Sequence, residues 1–363
     1  MGLRLPAGAA DYRELARRRL PRFRFDYLDG GAGAEASMAA NLEALAALKL
    51  RQRVLVDVDA VETASTLAGE AVSMPVVLAP VGLGGLAARR GEVQAVRAAA
   101  AAGIPFTLST VGICPLEEVR AASARPFWFQ LYMLRDRGVV ASLLERAWAA
   151  GCRPLVFTVD LPIPGVRLRD VRNGMDGAGA RAGLLRASQV LARPGWIWNV
   201  ALRGKPLRFG CLADQVPDAN NLNAFKRWVD SQFDPSVTWH DIEWLRARWQ
   251  GKLLLKGILD VEDARRAVRV GADGIVVSNH GGRQLDGVAG TLAKLPAIAE
   301  AVGQELEVLV DGGIRSGSDV LKAIACGARG VMLGRPWVWA LAARARPVCA
   351  IALICYGANC ALR

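Results

Sequence analysis

Eight short apolar runs, separated by alanine-rich helical stretches, leave this chain very few possible folds. The runs occupy residues 75–80, 106–110, 126–132, 154–160, 252–257, 274–279, 307–313 and 330–335. The stretches between them include 91–102, 115–124, 139–150, 261–270, 292–302 and 318–326. Strands that alternate with helices make parallel βαβ units. Eight such units predict an α/β fold closed as a (β/α)8 TIM barrel. No Gly-x-Gly-x-x-Gly follows the first run, which disfavours an open dinucleotide-binding sheet. A hydrophobic fraction of 52% over 363 residues is ample for one large core. The expectation is a single domain over 1–363, with an N-terminal helical segment within 1–70. Residues 11–20 read as a helix with a basic end, and Phe25-Asp26-Tyr27-Leu28-Asp29-Gly30-Gly31-Ala32 as a helix that ends in glycines.

A barrel of this kind carries its active site at the C-terminal ends of the strands. Polar residues fall there: Ser109, Gln130 and Tyr132, Thr158 and Asp160, Lys256, Ser278 and His280, Asp311, and Gly334-Arg335. Turn and cap residues are the usual occupants of such positions, but capping alone does not explain convergence at seven strand ends. The sixth run ends in Ser278-Asn279-His280-Gly281-Gly282-Arg283-Gln284-Leu285-Asp286. Histidine takes a proton near neutral pH, arginine's planar fork matches a carboxylate, and glycines let a ligand approach the backbone. Chemistry on a small acid follows from that pairing, against the plainer reading of a glycine-rich strand–helix loop. Asp311-Gly312-Gly313-Ile314-Arg315 and Gly334-Arg335 follow the last two strands, where barrels often bind phosphate. Only His240 and His280 are histidines, so a multi-histidine metal site is excluded, and His240 in Thr238-Trp239-His240-Asp241 reads as structural at a helix start.

The spacing is regular except between Asp160 and Lys252, which marks a long insertion after strand 4, at about 165–245. Its stretch 172–208 holds seven arginines and lysines against one acid, Asp176, interleaved with leucines, Trp196 and Trp198. Such a pattern fits a segment lying in a membrane interface, or a lid that packs on the barrel or a neighbouring subunit. Residues 225–250 read as helices returning to the barrel. The net charge of +12 favours anionic partners. Arginines spread along the chain, with no recognisable nucleic-acid module, argue against nucleic acid. Seven cysteines without a Cys-x-x-Cys pair, and no signal peptide, fit reduced thiols in the cytoplasm. No run reaches the ~20 apolar residues that a membrane span needs.

Beyond these readings, the chain from about 11 to 343 resembles the FMN-dependent α-hydroxy-acid dehydrogenase/oxidase family, and within it the membrane-associated bacterial L-lactate dehydrogenases. The resemblance is carried by the motif 278–287 just quoted in part. It is supported by Leu108-Ser109-Thr110-Val111, Trp128-Phe129-Gln130-Leu131-Tyr132, Phe157-Thr158-Val159-Asp160, Lys256-Gly257-Ile258-Leu259-Asp260 and Asp311-Gly312-Gly313-Ile314-Arg315. It implies FMN as cofactor and no metal. His280 would be the catalytic base, with Asp160 as its partner, and Tyr132 would contact the reacting hydroxyl. Arg283, Arg167 and Tyr27 would hold the substrate carboxylate. Pro80, Val81 and Gly82 would line the flavin ring through the main chain, and Lys256 would stand at its N1/O2 edge. Ser109, Gln130, Thr158 and Ser278 would bond the ring or ribityl chain. Asp311, Gly312, Gly313, Arg315, Gly334 and Arg335 would hold the ribityl and phosphate.

The implied reaction is oxidation of an L-2-hydroxy acid, L-lactate to pyruvate, with electrons passed to a membrane quinone. It would be carried out by a homotetramer held peripherally on the cytoplasmic side of the bacterial inner membrane through 172–208. The alternatives are a soluble oxidase that uses oxygen, a mandelate-type dehydrogenase, with Val111 near the family's substrate side-chain pocket suiting either acid, and an inactive flavin- or membrane-binding remnant. Residues 344–363, with Cys349, Cys355 and Cys360 in an apolar run, depart from the family's expected continuation, as a truncated or frameshifted end would.

Overall fold

The computed structural model describes residues 6–177, 179–215, 228 and 231–343. Two short strands, β1 (Ser65–Leu67) and β2 (Glu70–Val72), precede eight barrel strands. These are β3 (Val76–Leu78), β4 (Thr107–Ser109), β5 (Trp128–Leu131), β6 (Leu155–Thr158), β7 (Leu253–Ile258), β8 (Gly274–Val277), β9 (Glu307–Val310) and β10 (Gly330–Leu333). All eight pair in parallel, in the order β3-β10-β9-β8-β7-β6-β5-β4. A parallel bridge from Leu78 to Phe106, with Leu78 N donating to Pro105 O at 2.9 Å, joins the two ends and closes the (β/α)8 barrel. Each apolar run of the sequence supplies one strand, shortened where its last residues leave the ladder to turn.

The interior is layered by the two-residue period of a strand. Trp128, Val156, Leu254, Val276, Leu309 and Met332 form one buried apolar cluster inside the barrel. Two residues further along the same strands stand Gln130, Thr158, Lys256, Ser278, Asp311 and Gly334. The barrel is therefore oily at mid-height and polar at its C-terminal rim. Helices such as Gly91–Ala102, Arg137–Ala149, Val261–Arg269 and Thr291–Val302 wrap the outside and bury a second, larger core against the strands.

The opposite end of the barrel is closed by β1 and β2, which pair antiparallel. Residues 65–70 of this hairpin fall within the segment 1–70 read as helical, and there the hairpin corrects that reading. Ala68 and Gly69 both take positive φ, as a tight hairpin turn requires. Leu67 is fully buried, Ala68 N donates to the Glu307 carboxylate, and Trp128 Nε1 donates to Glu70 Oε2 at 3.2 Å.

Three helices, α1 (Ala9–Arg19), α2 (Arg22–Asp29) and α3 (Ala36–Ala47), precede the hairpin. Helix α1 packs on the helix that follows β10, Arg335–Ala342, whose residues 336–342 are all buried. Helix α2 packs against the start of the insertion, the Leu168–Arg172 helix. The insertion continues through the Ala180–Leu191 helix, a turn at Pro194–Trp196 and a helical turn at Ile197–Leu202. His240 sits in the first turn of the Trp239–Arg248 helix, exposed and 3.3 Å from Glu243 Oε2, as expected of a structural residue. The atypical tail 344–363, and parts of the stretch 225–250 read as returning helices (225–227 and 229–230), lie outside the described residues.

Candidate active site

A cavity of about 400 Å3 opens at the C-terminal rim of the barrel, within the usual range for a small-molecule site. Most sequence-predicted residues line it. They include His280, Arg283, Tyr27, Tyr132 and Arg167. Pro80, Val81, Gly82, Thr158, Lys256, Asp311, Gly312, Gly313, Arg315, Gly334 and Arg335 line it as well. Ser109, Gln130, Asp160 and Ser278 are not in the cavity wall but directly behind it. Ser109 Oγ donates to Gln130 Oε1 at 2.9 Å, and Gln130 Nε2 donates to Thr158 Oγ1 at 3.0 Å, so a buried chain of hydrogen bonds fixes the Thr158 hydroxyl.

His280 is placed by three devices. The backbone turns there at φ +57, a strained conformation for a side chain with a Cβ. Its N–H donates to Ser278 Oγ at 3.0 Å, and its Nδ1 lies 3.0 Å from Asp160 Oδ1. An ionised Asp160 accepts from Nδ1–H, which leaves the Nε2 lone pair free. Burial lowers the His280 pKa below its ordinary value, more than Asp160 raises it, so the neutral, proton-accepting form prevails. Burial pushes the Asp160 carboxyl up, but His280 and Lys256 outweigh this and hold it below the usual carboxylate range. Asp160 has room because its neighbour is Gly257: a Cβ there would lie 2.6 Å from the Asp160 Cβ. Gly257 also carries φ +116 and marks a shift in the β7–β8 register between Lys256 and Ile258.

Four arginines line the cavity, Arg167, Arg283, Arg315 and Arg335, and the first two stand beside Tyr27. Arg283 and Arg167 lie 5.1 and 5.4 Å from the Tyr27 ring centroid, within cation–π range. Burial, with Arg167 beside it, lowers the Arg283 pKa. Burial also pulls Arg167 down, but Tyr27 and Asp170 more than offset this. Asp170 orients Arg167 by accepting from its Nε at 2.9 Å. Burial pushes the Tyr132 phenol up, so it stays a neutral donor. This set can accept a proton at one atom and hold a carboxylate beside it.

The rest of the cavity fits a phosphorylated flavin. Gly82 leaves space, because a Cβ there would meet Val111 Cγ2 at 2.8 Å. Gly312 and Gly313 take φ +97 and +86, and a Cβ on Gly313 would meet Asn41 O at 2.9 Å. Asp311 Oδ1 is buried without a partner, while Oδ2 lies 3.1 Å from Lys256 Nζ. Burial lowers the Lys256 pKa, but Asp311 and Asp160 raise it more, so the ammonium persists. Burial without a contacting carboxylate pulls Arg335 down to about 9 and Arg315 to about 10. Two under-compensated guanidinium groups beside glycine N–H groups form an anion site, and Asp311 offers an acceptor to a hydroxyl.

The family model for FMN-dependent dehydrogenases matches residues 16–353. This chain belongs to that family. The match makes it an FMN-dependent oxidoreductase, and it reaches into the tail beyond 343. An L-lactate dehydrogenase of Caulobacter vibrioides (strain NA1000 / CB15N) is 57% identical over 338 residues, covering 93% of this chain and 88% of that protein. An L-lactate dehydrogenase of Alcaligenes faecalis is 53% identical over 337 residues, with the same two coverages. Among solved structures, a mandelate oxidase superposes with a TM-score of 0.83 at 40% identity, over 99% of this chain and 94% of that one. The monotopic membrane protein (S)-mandelate dehydrogenase superposes with a TM-score of 0.90 at 33% identity, over 99% and 95%.

Sequence reasoning missed several residues that build the site. Asn41 and Asn279 exchange two amide hydrogen bonds of 2.9 Å and tie α3 to the histidine loop. Gln284 Nε2 donates to Asp160 O at 3.0 Å. Gly30 O accepts from both Arg283 and Arg335. Gln284 lies in the recognised motif, but the partners on α2 and α3 are distant in sequence, and no local pattern announces them.

Proposed function

We propose that this enzyme oxidises L-lactate to pyruvate, at a site where His280 is the base. The single observation that carries the base assignment is the Asp160–His280 pair at 3.0 Å, opening onto the same cavity as Arg283 and Arg167. The substrate assignment rests on the L-lactate dehydrogenase relatives.

Arg283 and Arg167 bind the carboxylate, with Tyr27 between them. This orients the C2 carbon and its hydroxyl toward His280 and Tyr132. His280 Nε2 takes one proton from the substrate. Asp160 stabilises the imidazolium that forms, as a carboxylate next to a protonating histidine does. Tyr132, kept neutral by burial, donates to the developing charge on the substrate oxygen. Pro80, Val81, Gly82 and Thr158 would hold the ring and ribityl chain of FMN, with Ser109, Gln130 and Ser278 supporting Thr158 and Lys256 from behind, and Asp311, Gly312, Gly313, Arg315, Gly334 and Arg335 would hold its ribityl and phosphate. When bound, FMN supplies the two-electron acceptor for the oxidation. Lys256 places a cation where an electron-rich ring is stabilised.

The electron acceptor on this reading is a membrane quinone. Val166 and Val171 line the cavity and are 67% and 56% exposed, so its mouth is apolar. The neighbouring Ala180–Leu191 helix buries no residue, although its Leu184 and Leu191 share a face. An amphipathic helix with its apolar face uncovered, flanked by Arg181, Arg186 and Arg193, fits a membrane interface. Among the described residues no helix is long and apolar enough to cross a membrane. The enzyme on this reading is a homotetramer lying peripherally on the cytoplasmic face of the inner membrane. Mandelate is the second reading, favoured by the mandelate oxidase and dehydrogenase relatives and by the apolar Val111, Leu161 and Phe209 in the cavity.

The test is anaerobic bleaching of the purified holoenzyme by L-lactate and by (S)-mandelate. The outcome expected is faster bleaching by lactate, with reoxidation faster by a quinone analogue than by air. Lactate-independent colour, or reduction that survives in His280→Gln, sinks the assignment.

A further inference from the structure

The arginine proposed for the substrate carboxylate and an arginine proposed for the cofactor phosphate share one acceptor. Arg283 Nη1 and Arg335 Nη2 both donate to Gly30 O, each at 2.8 Å. Arg335 Nε also donates to Asp29 O at 3.0 Å, and its Nη1 to Gly281 O at 2.9 Å. No described carboxylate forms an ion pair with either guanidinium. Both lean instead on the carbonyl end of α2, where a helix carries partial negative charge.

The helix end is itself held by one buried side chain. Asp29 is 3% exposed. Its carboxylate takes a bidentate pair from Arg13, Nε to Oδ1 at 2.6 Å and Nη2 to Oδ2 at 2.7 Å, and a third bond from Arg169 Nη1 at 3.0 Å. Arg169 also bonds Glu35, which accepts from Gly31 N at 2.9 Å. Glycine is required at 30, because a Cβ would meet Asp26 O at 2.7 Å and Arg169 Cδ at 3.3 Å. Asp29 therefore lies at a crossing of α1, α2 and the start of the insertion, one residue from the shared carbonyl.

We infer that Asp29 is a positioning residue that sets the Gly30 carbonyl between Arg283 and Arg335, and so couples substrate-carboxylate binding to cofactor-phosphate binding. Asp29 touches neither ligand and acts through α2. The inference rests on the proposed roles of Arg283 and Arg335.

The experiment compares wild type with Asp29→Asn and, in case that variant does not fold, with Arg13→Gln. Three quantities are read: KM and kcat for L-lactate, the Kd for FMN added to apoprotein, and the Kd for riboflavin, which has the ring and ribityl chain but no phosphate. Charge-assisted hydrogen bonds of this kind lead us to expect KM and the FMN Kd to rise together, each on the order of tenfold, with kcat changed less and riboflavin affinity unchanged. Wild-type values of KM and FMN Kd in the soluble variant overturn the inference, as does a loss confined to the thermal midpoint. If wild-type flavin is not reduced by any 2-hydroxy acid, the functional reading fails. The contrast between FMN and riboflavin then decides the inference through the Arg335 half alone.

Discussion

His280 illustrates how one residue is set by several weak devices: a left-handed backbone, a hydrogen bond from its own N–H to Ser278, and a carboxylate at 3.0 Å. Because burial lowers its pKa, kcat/KM for L-lactate is expected to fall on acidification only below the ordinary histidine value. The sign follows from the base being the neutral form, which acid removes. Asp160→Asn removes the charge that raises the His280 pKa, so the acid limb moves to still lower pH. The same change leaves the imidazolium without its partner, and kcat drops on the order of 10²–10⁴-fold. A pH profile of the variant checks both. An acid limb that shifts upward, or an unchanged kcat, contradicts the pairing. At this scale the sequence was informative, because the strand period places polar residues two positions beyond buried apolar ones. Val276 then Ser278, and Leu254 then Lys256, are readable as core then rim. Asp29, Asn41 and Asp170 were not readable. Each is an ordinary helix residue until the chain folds and brings it against the site.

At the scale of elements, the β7 end and the insertion carry separate predictions. Gly257 lets Asp160 approach and breaks the β7 register. Gly257→Ala is expected to destabilise the fold by roughly 1–3 kcal/mol from strain at φ +116 and the clash with Asp160. It should also depress kcat by moving Asp160. A thermal melt and steady-state kinetics measure the two effects, and wild-type values in both defeat the argument. The Ala180–Leu191 helix behaves differently, since Leu184 and Leu191 are 71% and 74% exposed and stand outside the lining of the active-site cavity. The double change of Leu184 and Leu191 to Ser should weaken co-sedimentation with anionic vesicles on the order of 100-fold, from ~1.5 kcal/mol per lost leucine. Turnover with a soluble dye should stay the same. Retained vesicle binding would favour the other reading of this segment, a lid or a subunit contact. The alternation of basic and apolar residues in 172–208 was legible. Which face stays uncovered was not, because that depends on how the helix lies against α2. The hairpin β1–β2 was likewise hidden, since three-residue strands carry too few alternations to mark a period.

For the whole molecule, the barrel gathers positive charge at one end and leaves it for a ligand to balance. Arg315 shows this. Its guanidinium lies 4.8 Å from the Trp339 ring centroid and donates to Ile314 O at 3.1 Å, but forms no ion pair among the described residues, and burial pulls its pKa to about 10. Arg283 and Arg315 both add to the burial that lowers the Arg335 pKa at the same rim. A buried cation held without a partner costs stability. The apoprotein is therefore less stable than the fold requires, and an anion that binds only the folded state raises stability by mass action. Arg315→Met replaces the cation by an apolar chain of similar length against Trp339. The expected result is an apoprotein Tm higher than wild type by roughly 1–4 °C, together with an FMN Kd raised on the order of tenfold. Inorganic phosphate should raise the wild-type apoprotein Tm more than that of the variant. These are opposite signs for stability and cofactor affinity from one substitution, read by melting and by flavin titration. A lower apoprotein Tm in Arg315→Met would mean that this arginine serves the fold before it serves the phosphate.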